Sequence, residues 1–224
     1  IIYGREQTTT KVRVLGGHQQ MMRLDFEEVD NISSQSVVEL QEYISRQING
    51  GINATIISDY GKGICTEALC QYVIKEAGEV NLPVLVDPKG TAWQKYSGAS
   101  YVTPNVKEAG VVLGRKLVNE TDSLRQAAKE VKEKFNISTI MITRSEKGVS
   151  IFGKDEVTVP TVAKEVFDVS GAGDTVISAF TLSIGGKLSK ETSLVLANFA
   201  AGIEVGKVGT YAVSKEEILM ALDN

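Results

Sequence analysis

The alternation of short apolar strands with helices constrains the fold of this chain more than any other feature. From about residue 36, helical patterns and apolar runs follow one another with short connections. The predicted strands are 54–58, 83–86, 100–103, 138–143, 148–152 and 156–162, and the predicted helices lie near 36–50, 66–79, 121–135, 173–186, 190–204 and 214–222, with a short helix after Asn105. This order predicts an α/β fold with a doubly wound, mostly parallel sheet.

Residues 8–26 have a different pattern, in which apolar and polar residues alternate on either side of Gly16-Gly17. The apolar positions are Val12, Val14, Met22, Leu24 and Phe26. A glycine pair between two alternating runs predicts a β hairpin. We therefore expect two units, a small hairpin within residues 1–30 and an α/β unit over residues 31–224.

Composition argues against several classes of function. The formal charge is −4 and the basic residues are scattered, so no nucleic-acid partner is expected. His18 is the only histidine, and Cys65 and Cys70 form no Cys-x-x-Cys pair, so a zinc site is not expected. The sequence contains neither a membrane-length apolar run nor a signal-peptide pattern. We expect no membrane partner and, with two isolated thiols, a cytoplasmic protein.

A glycine-rich turn, Asp168-Val-Ser-Gly-Ala-Gly-Asp174-Thr, stands directly before the apolar helical run 176–182. Glycine permits positive φ, and a helix N-terminus adds free N–H groups and a positive dipole end, which together favour an anion. Asp174 would repel a bound phosphate, but a base that takes a proton from a hydroxyl belongs beside a phosphoryl group. For the bare motif, a loop with an acidic N-cap is the preferred interpretation.

Polar residues follow four of the predicted strands: Asp59, Asp87, Asn105 and Thr143. One such residue is ordinary turn chemistry. The carboxyl ends of parallel strands, however, form the edge at which open α/β sheets bind ligands. Four in succession, together with the glycine-rich turn, predict a shared ligand crevice.

Lysines and oxygen ligands accompany these strand ends. Lys62 and Lys89 each follow a strand-end aspartate and suit phosphate groups. Asn105 and Glu108 lie three apart on one helical face, and their oxygens suit Mg²⁺ beside phosphates. Glu108 is equally well explained as a favourable charge at a helix N-terminus.

Two further segments each have two interpretations. The turn 143–148 either borders a nucleotide or joins two strands. Asn198 and the small residues 200–202 either leave room for a flat base or allow tight helix packing, and packing is preferred from these residues alone.

An anion cradle, a base, a metal-positioning pair and lysines together predict phosphoryl transfer, in which positioning and charge stabilisation do most of the work. The sequence has no Gly-x-x-x-x-Gly-Lys-Ser/Thr, which excludes a P-loop enzyme. It also has no Gly-x-Gly-x-x-Gly between a first strand and helix, which counts against a dinucleotide oxidoreductase.

With these motifs the chain resembles the PfkB (ribokinase-like) carbohydrate kinases. Residues 168–175 resemble the second signature of that family, and residues 103–108 resemble its Asn-x-x-Glu motif. The chain is also similar to one subgroup, the D-glycero-β-D-manno-heptose 7-phosphate kinases of lipopolysaccharide precursor synthesis, at 19–28, 58–63, 86–90, 143–148 and 206–210. The resemblance runs nearly end to end and implies an ATP-dependent sugar kinase of ADP-heptose synthesis.

The resemblance also implies residue roles. Asp174 would be the catalytic base, and the amides of Gly171, Ala172 and Gly173 the anion hole. ATP and Mg²⁺ would lie against Asn105, Val106, Lys107 and Glu108, with the nucleoside flanked by Thr143, Ser145, Glu146, Gly148 and Asn198. The sugar phosphate would contact Arg23, Asp59, Lys62, Lys89 and Asp174, and K⁺ would lie near Asp168 and Ser170. The hairpin would act as a lid that mediates dimer contacts, which implies a homodimer.

The N-terminal region of the family has no counterpart in this sequence. Nothing here matches the Gly-Gly-rich sugar-binding signature of the family's first βαβ region. The chain is therefore expected to correspond to the C-terminal part of the kinase domain, with no fused nucleotidyltransferase, and to be a poor kinase by itself. Two alternatives stay open: a kinase for another sugar, such as ribose or fructose phosphate, and a non-catalytic module that binds a nucleotide or sugar phosphate. Asp174 favours an enzyme, because a pure binding module needs no base.

Overall fold

The computed structural model describes residues 9–16, 19–27, 32–163 and 166–222. Several sequence features lie outside these ranges: Gly17 of the expected turn, His18, Glu28 and the expected unit boundary at residues 30 and 31.

The N-terminal hairpin predicted from the alternating pattern is confirmed. Strands β1 (Thr10–Gly16) and β2 (Gln19–Phe26) pair antiparallel as a two-stranded sheet of their own. Val12 faces Leu24 and Val14 faces Met22 across the pair, and all four side chains are exposed. An isolated hairpin is marginal in water, so this apolar face favours a further contact surface.

The main sheet contains six strands whose spatial order follows the chain. They are β3 (Thr55–Ser58), β4 (Val84–Asp87), β5 (Tyr101–Val102), β6 (Thr139–Thr143), β7 (Val149–Phe152) and β8 (Val157–Val159). Strands β3 to β6 are parallel, whereas β7 and β8 pair antiparallel. The prediction of a mostly parallel sheet is confirmed.

Seven α-helices lie within the described residues. They are α1 (Ser34–Asn49), α2 (Glu67–Glu79), α3 (Val106–Val112), α4 (Thr121–Phe135), α5 (Ala172–Gly185), α6 (Lys190–Glu204) and α7 (Lys215–Leu222). Ser33, Thr66 and Ser189 cap α1, α2 and α6 by accepting a backbone N–H with the side-chain oxygen. No helix in this part of the chain has the length and apolar character needed to cross a membrane.

Alternate residues of the strands supply two separate cores on opposite faces of the sheet. In β4, Val84 and Val86 pack with α2 and α4, whereas Leu85 packs with α5 and α6. The first core also buries Trp93 and Tyr96 completely; both belong to a short 3₁₀ turn after β4. Both faces of the sheet are therefore covered, as a doubly wound arrangement requires.

Two strands are shorter than the sequence pattern predicts. Strand β5 covers Tyr101–Val102 rather than 100–103, and β8 ends at Val159 rather than 162. Pro104 and Pro160 follow closely and have no N–H to donate to a neighbouring strand. The paired ladder therefore ends before each proline.

Candidate active site

The glycine-rich turn forms the start of α5. Gly171 is its N-cap residue with φ +104°, a conformation that L side chains rarely adopt. A Cβ at this position would also lie 2.9 Å from Oε1 of Glu204, so both backbone and space require glycine. No side chain caps the first turn of α5. The Ala172 amide donates to the Val169 carbonyl at 3.3 Å. The amides of Gly173 and Asp174 have no partner within the helix, because they lie in its first turn, and they are suited to bind an anion.

Asp174 lies in the first turn of α5 with its side chain exposed. The Tyr60 hydroxyl donates a hydrogen bond of 3.1 Å to its Oδ1. Tyr60 follows β3, so the contact joins the amino end of α5 to the carboxyl end of the sheet. The predicted base therefore faces the predicted crevice.

The polar residues at the ends of four strands meet in pairs at this edge. The Asp59 amide donates to the Asp87 carbonyl at 3.1 Å, and Asn105 forms an isolated parallel bridge with Thr143. Parallel pairing of β3 to β6 places these strand ends side by side. The expected edge of polar residues is therefore present.

Asp87 is half-buried, and its carboxylate accepts no hydrogen bond within the described ranges. Burial, followed by the negative charges of Asp174 and Glu108, raises the pKa of Asp87 to about 7, against a smaller opposing effect of Lys89. This carboxyl is therefore partly protonated near neutral pH and able to donate a hydrogen bond. Perturbed carboxyls of this kind cluster at functional sites.

Asn105 and Glu108 form a reciprocal capping box at the start of α3. The Asn105 Oδ1 accepts the Glu108 amide at 2.8 Å, and the Glu108 Oε2 accepts the Asn105 amide at 3.0 Å. Lys89 Nζ lies 3.8 Å from Oε1 of Glu108. Both side chains thus have a structural role, while Oε1 of Glu108 stays available to a further cation.

A cavity of about 1050 Å³ runs along α3 beside this capping box. It brings together four residues expected near ATP, namely Asn105, Val106, Lys107 and Ser145. Val106 is partly buried against the core, whereas Lys107 is exposed. The other residues expected near ATP do not line this cavity; they are Glu108, Thr143, Glu146, Gly148, Gly171, Ala172, Gly173 and Asn198.

The turn 143–148 is held rigidly in place. The Arg144 guanidinium is buried and donates to Asn119 Oδ1 at 3.0 Å and to Ser150 Oγ at 2.9 Å. Gly148 has φ +80°, and a Cβ there would lie 2.0 Å from the Val159 carbonyl oxygen. Ser145 and Glu146 are exposed at the tip of the turn. The segment joins β6 to β7, as one interpretation predicted, and its role beside a nucleotide stays a prediction.

Asn198 is buried, and its amide donates to the Pro160 carbonyl at 2.6 Å. In the same helix, a Cβ on Gly202 would lie 2.9 Å from a methyl carbon of Val162. The small residues of α6 therefore allow close packing against the segment after β8, as their composition predicted. Asn198 fixes that segment beside Gly148.

Three of the residues expected to bind substrate already have protein partners. Asp59 is buried and accepts hydrogen bonds from Tyr96 at 2.5 Å and from Lys95. Lys62 forms an ion pair with Glu27, next to the hairpin, and Arg23 of β2 lies 3.0 Å from Asp25. Among the described residues, Lys89 is the cation that acts on Asp87, and it is paired loosely with Glu108.

A second acidic group lies behind the cradle. Asp168 Oδ1 accepts the Ser170 amide at 2.8 Å, and this hydrogen bond is the main reason that the pKa of Asp168 is below its usual range. Glu204 is fully buried, and neither carboxylate oxygen has a hydrogen-bond partner in the described part of the chain. Burial, and then the charge of Asp168, raises the pKa of Glu204, against a smaller opposing effect of the Tyr211 amide. An unpartnered buried carboxylate is costly, so a cation here would be stabilised.

Sequence reasoning missed Tyr60 as a partner of Asp174, Lys95 as a partner of Asp59, and Glu204. Tyr60 lies within the motif 58–63, but nothing in that motif indicates its partner. Lys95 lies in no motif, and Glu204 has no sequence feature that distinguishes it from other helix residues. Within the described residues, no cluster of three or more acidic, histidine or cysteine side chains could hold a metal by itself.

The sequence profile of the family described as pfkB family carbohydrate kinase matches residues 1–217. Among curated relatives, the bifunctional protein HldE of Syntrophotalea carbinolica is 43% identical over 97% of this chain and 44% of its own length. HldE of Haemophilus influenzae strain PittEE is 43% identical over 96% of the chain and 44% of its own length. The chain thus spans less than half the length of these relatives.

Solved structures share the fold at low sequence identity. Escherichia coli phosphofructokinase-2 in complex with substrates and products has a TM-score of 0.76 at 19% identity, covering 98% of this chain and 71% of that one. The same enzyme in complex with potassium has a TM-score of 0.74 at 19% identity, and the match covers 90% of this chain and 66% of that one. Arabidopsis thaliana ribokinase complexed with ribose and ATP has a TM-score of 0.71 at 17% identity, and the match covers 91% of this chain and 66% of that one.

Proposed function

The chain belongs to the pfkB family of carbohydrate kinases, and we propose that it transfers the γ-phosphoryl group of ATP to the anomeric hydroxyl of D-glycero-β-D-manno-heptose 7-phosphate. The observation that carries this proposal is Asp174, exposed at the uncapped start of α5 and facing the polar sheet edge. The heptose assignment rests on the motifs at 58–63, 86–90, 143–148 and 206–210 and is supported by relatives about 40% identical.

The proposed reaction uses residues from two parts of the fold, the start of α5 and the carboxyl end of the sheet. Asp174 takes the proton of the acceptor hydroxyl. At the same time the hydroxyl oxygen forms the new bond to the γ-phosphorus, and ADP leaves. The backbone amides of Gly171, Ala172 and Gly173 stabilise charge on the transferred group, for which the Ala172 amide exchanges its hydrogen bond to the Val169 carbonyl. Lys89, beside Asp87 and Glu108, provides positive charge at the edge of the sheet.

The residues present fit Mg²⁺ and K⁺. Glu108 has one carboxylate oxygen outside the capping box, and the absence of a ready-made acidic cluster in the described residues suits Mg²⁺ held mostly by phosphates and water. Bound Mg²⁺ would neutralise charge on the phosphates. K⁺ would lie near Asp168 and Ser170, where the unpartnered Glu204 carboxylate offers additional negative charge.

Mg²⁺ is expected to increase the affinity for ATP, and replacing Glu108 by Gln should reduce this increase by about tenfold. A factor of this size corresponds to the loss of one charged contact. The glutamine oxygen still accepts the Asn105 amide, so the capping box of α3 survives. Calorimetric titration of ATP with and without Mg²⁺ measures the effect. Glu133→Gln, on the exposed face of α4, is the control and should behave as wild type. Equal Mg²⁺ dependence in both variants would remove Glu108 from the metal site.

The substrate is tested by comparing the rates at which the full protein encoded by the gene phosphorylates different sugar acceptors. We expect ADP release from Mg²⁺·ATP to be fastest with heptose 7-phosphate, slower with fructose 6-phosphate and slowest with ribose. Faster turnover with fructose 6-phosphate or ribose would assign a kinase for another sugar. ATP binding without turnover of any acceptor would instead indicate a non-catalytic module.

The proposal includes a homodimer and a cytoplasmic site of reaction. The exposed apolar side chains of β1 and β2 are suited to contact with a second copy, and ATP as the donor places the reaction in the cytoplasm. Sedimentation tests the assembly, because a monomer at micromolar concentration would contradict it.

A further inference from the structure

We propose that Tyr60 is a positioning residue for the base, its hydroxyl holding the Asp174 carboxylate in the orientation that receives the acceptor proton. The inference rests on the proposed function, because it assigns Tyr60 a role only if Asp174 is the base. It adds to the reaction a residue from another part of the fold, one that acts through Asp174.

The hydrogen bond selects one orientation of an otherwise unrestrained side chain. Tyr60 donates to Oδ1 of Asp174 at 3.1 Å, and the described residues provide Asp174 with no other side-chain partner. An exposed aspartate has several accessible rotamers. With Oδ1 occupied by the phenol, Oδ2 has no side-chain partner among the described residues and is available to the acceptor hydroxyl. Since a displacement of about 1 Å can cost ~10²-fold in rate, fixing this rotamer matters for transfer.

The backbone that carries Tyr60 is itself anchored by a buried carboxylate. Asp59 accepts hydrogen bonds from Tyr96 at 2.5 Å, from Lys95, and from the Gly61 amide at 2.6 Å. The same Lys95 ammonium donates to the Cys65 carbonyl at 3.1 Å. The loop is therefore fixed on both sides of Tyr60, and its hydroxyl has a defined position from which to orient Asp174.

The Tyr60 ring also connects the base to the hairpin. Its side chain is 54% exposed, and Lys11 Nζ of β1 lies 6.0 Å from the ring centroid. Partial burial, and then the Asp174 charge, raises the pKa of Tyr60, so the phenol stays protonated and remains a donor. A surface hydrogen bond of this type contributes little to the stability of the fold. A role in orientation would therefore appear in turnover rather than in folding.

The test is Tyr60→Phe, which removes only the hydroxyl. In the gene-encoded protein, with Mg²⁺·ATP and heptose 7-phosphate, we expect kcat to fall about tenfold while KM for ATP and the melting temperature stay within error of wild type. Tyr72→Phe is the matched control: it loses a hydroxyl hydrogen bond of 2.6 Å to Ser45 between α1 and α2, far from the crevice, and should keep wild-type kcat.

A double-mutant cycle with Asp174→Asn separates this inference from the proposed function. If Tyr60 acts through the base, Tyr60→Phe lowers kcat in the wild-type background and not in the Asp174→Asn background. Full activity of Tyr60→Phe, or an equal loss in both backgrounds, overturns the role of Tyr60 and leaves the base assignment intact. Full activity of Asp174→Asn instead overturns the base assignment, and the Tyr60 role with it.

Discussion

Replacing Asp174 by Asn is expected to lower kcat by about 10²–10⁴-fold, the usual loss when a general base is removed. Asn keeps the size of the side chain and can still accept the Tyr60 hydroxyl, but it cannot take up the acceptor proton. The cradle amides and the Asn105–Glu108 box are untouched, so ATP should bind with nearly wild-type affinity. Steady-state kinetics and ATP titration on the same preparation measure both quantities.

Asp122→Asn is the matched control for this substitution. Asp122 also lies in the first turn of a helix, α4, and is almost fully exposed. Both variants lose a favourable charge near a helix N-terminus, worth about 0.3–1 kcal/mol. Only Asp174→Asn should lose turnover. Near-normal turnover with intact ATP binding would show that another group accepts the proton.

Replacing Lys95 by Met is expected to lower the free energy of unfolding by about 3–5 kcal/mol, the cost of breaking a buried ion pair by removing one partner. Met approximates the length of the lysine side chain but leaves the buried Asp59 carboxylate with only Tyr96 and the Gly61 amide. Urea denaturation at pH 7 measures the change. Lys129→Met, which removes an exposed contact with Glu133, should cost no more than about 1 kcal/mol.

The cost of Lys95→Met should depend on pH. Burial acts to raise the pKa of Asp59, but hydrogen bonds from Lys95, Tyr96 and Gly61 outweigh it and hold the pKa below its ordinary value of 3.8. The folded-state pKa is thus lower than the unfolded-state one, so the stabilisation is present above pH 3.8 and is lost as the pH falls through the folded-state value. The difference from wild type should shrink at acidic pH. A constant difference would mean that Asp59 is not the group left unpaired.

Local pattern was sufficient for much of the fold. Helix α4 was predicted over the residues that it occupies, because Leu124, Val131 and Phe135 recur on one face. Asn136, with φ +53°, supplies the left-handed cap that ends the helix. Strand β5 was predicted too long, since its apolar run is followed by Pro104, and pairing depends on the neighbouring strands as well as on the run itself.

The candidate site was predictable where it depends on topology and unpredictable where it depends on side-chain packing. Parallel strands bring Asp59 beside Asp87 and Asn105 beside Thr143, and this requires only the strand order. The contact of Tyr60 with Asp174 joins residues 114 positions apart and no local pattern encodes it. The burial of Glu204 behind Gly171 likewise depends on how α6 packs.

The strand order has a consequence for the order in which the molecule can be assembled. Strands β3 to β8 are added one beside another as the chain is synthesised, and α2 and α4 cover the first face along the way. The second face receives α5 and α6 only after β8 has been made. The strand ends of the sheet are therefore synthesised before α5, and Asp174 and its cradle can join that edge only afterwards. If Asp174 has the proposed role, the protein becomes active only after the sheet against which α5 packs has been completed.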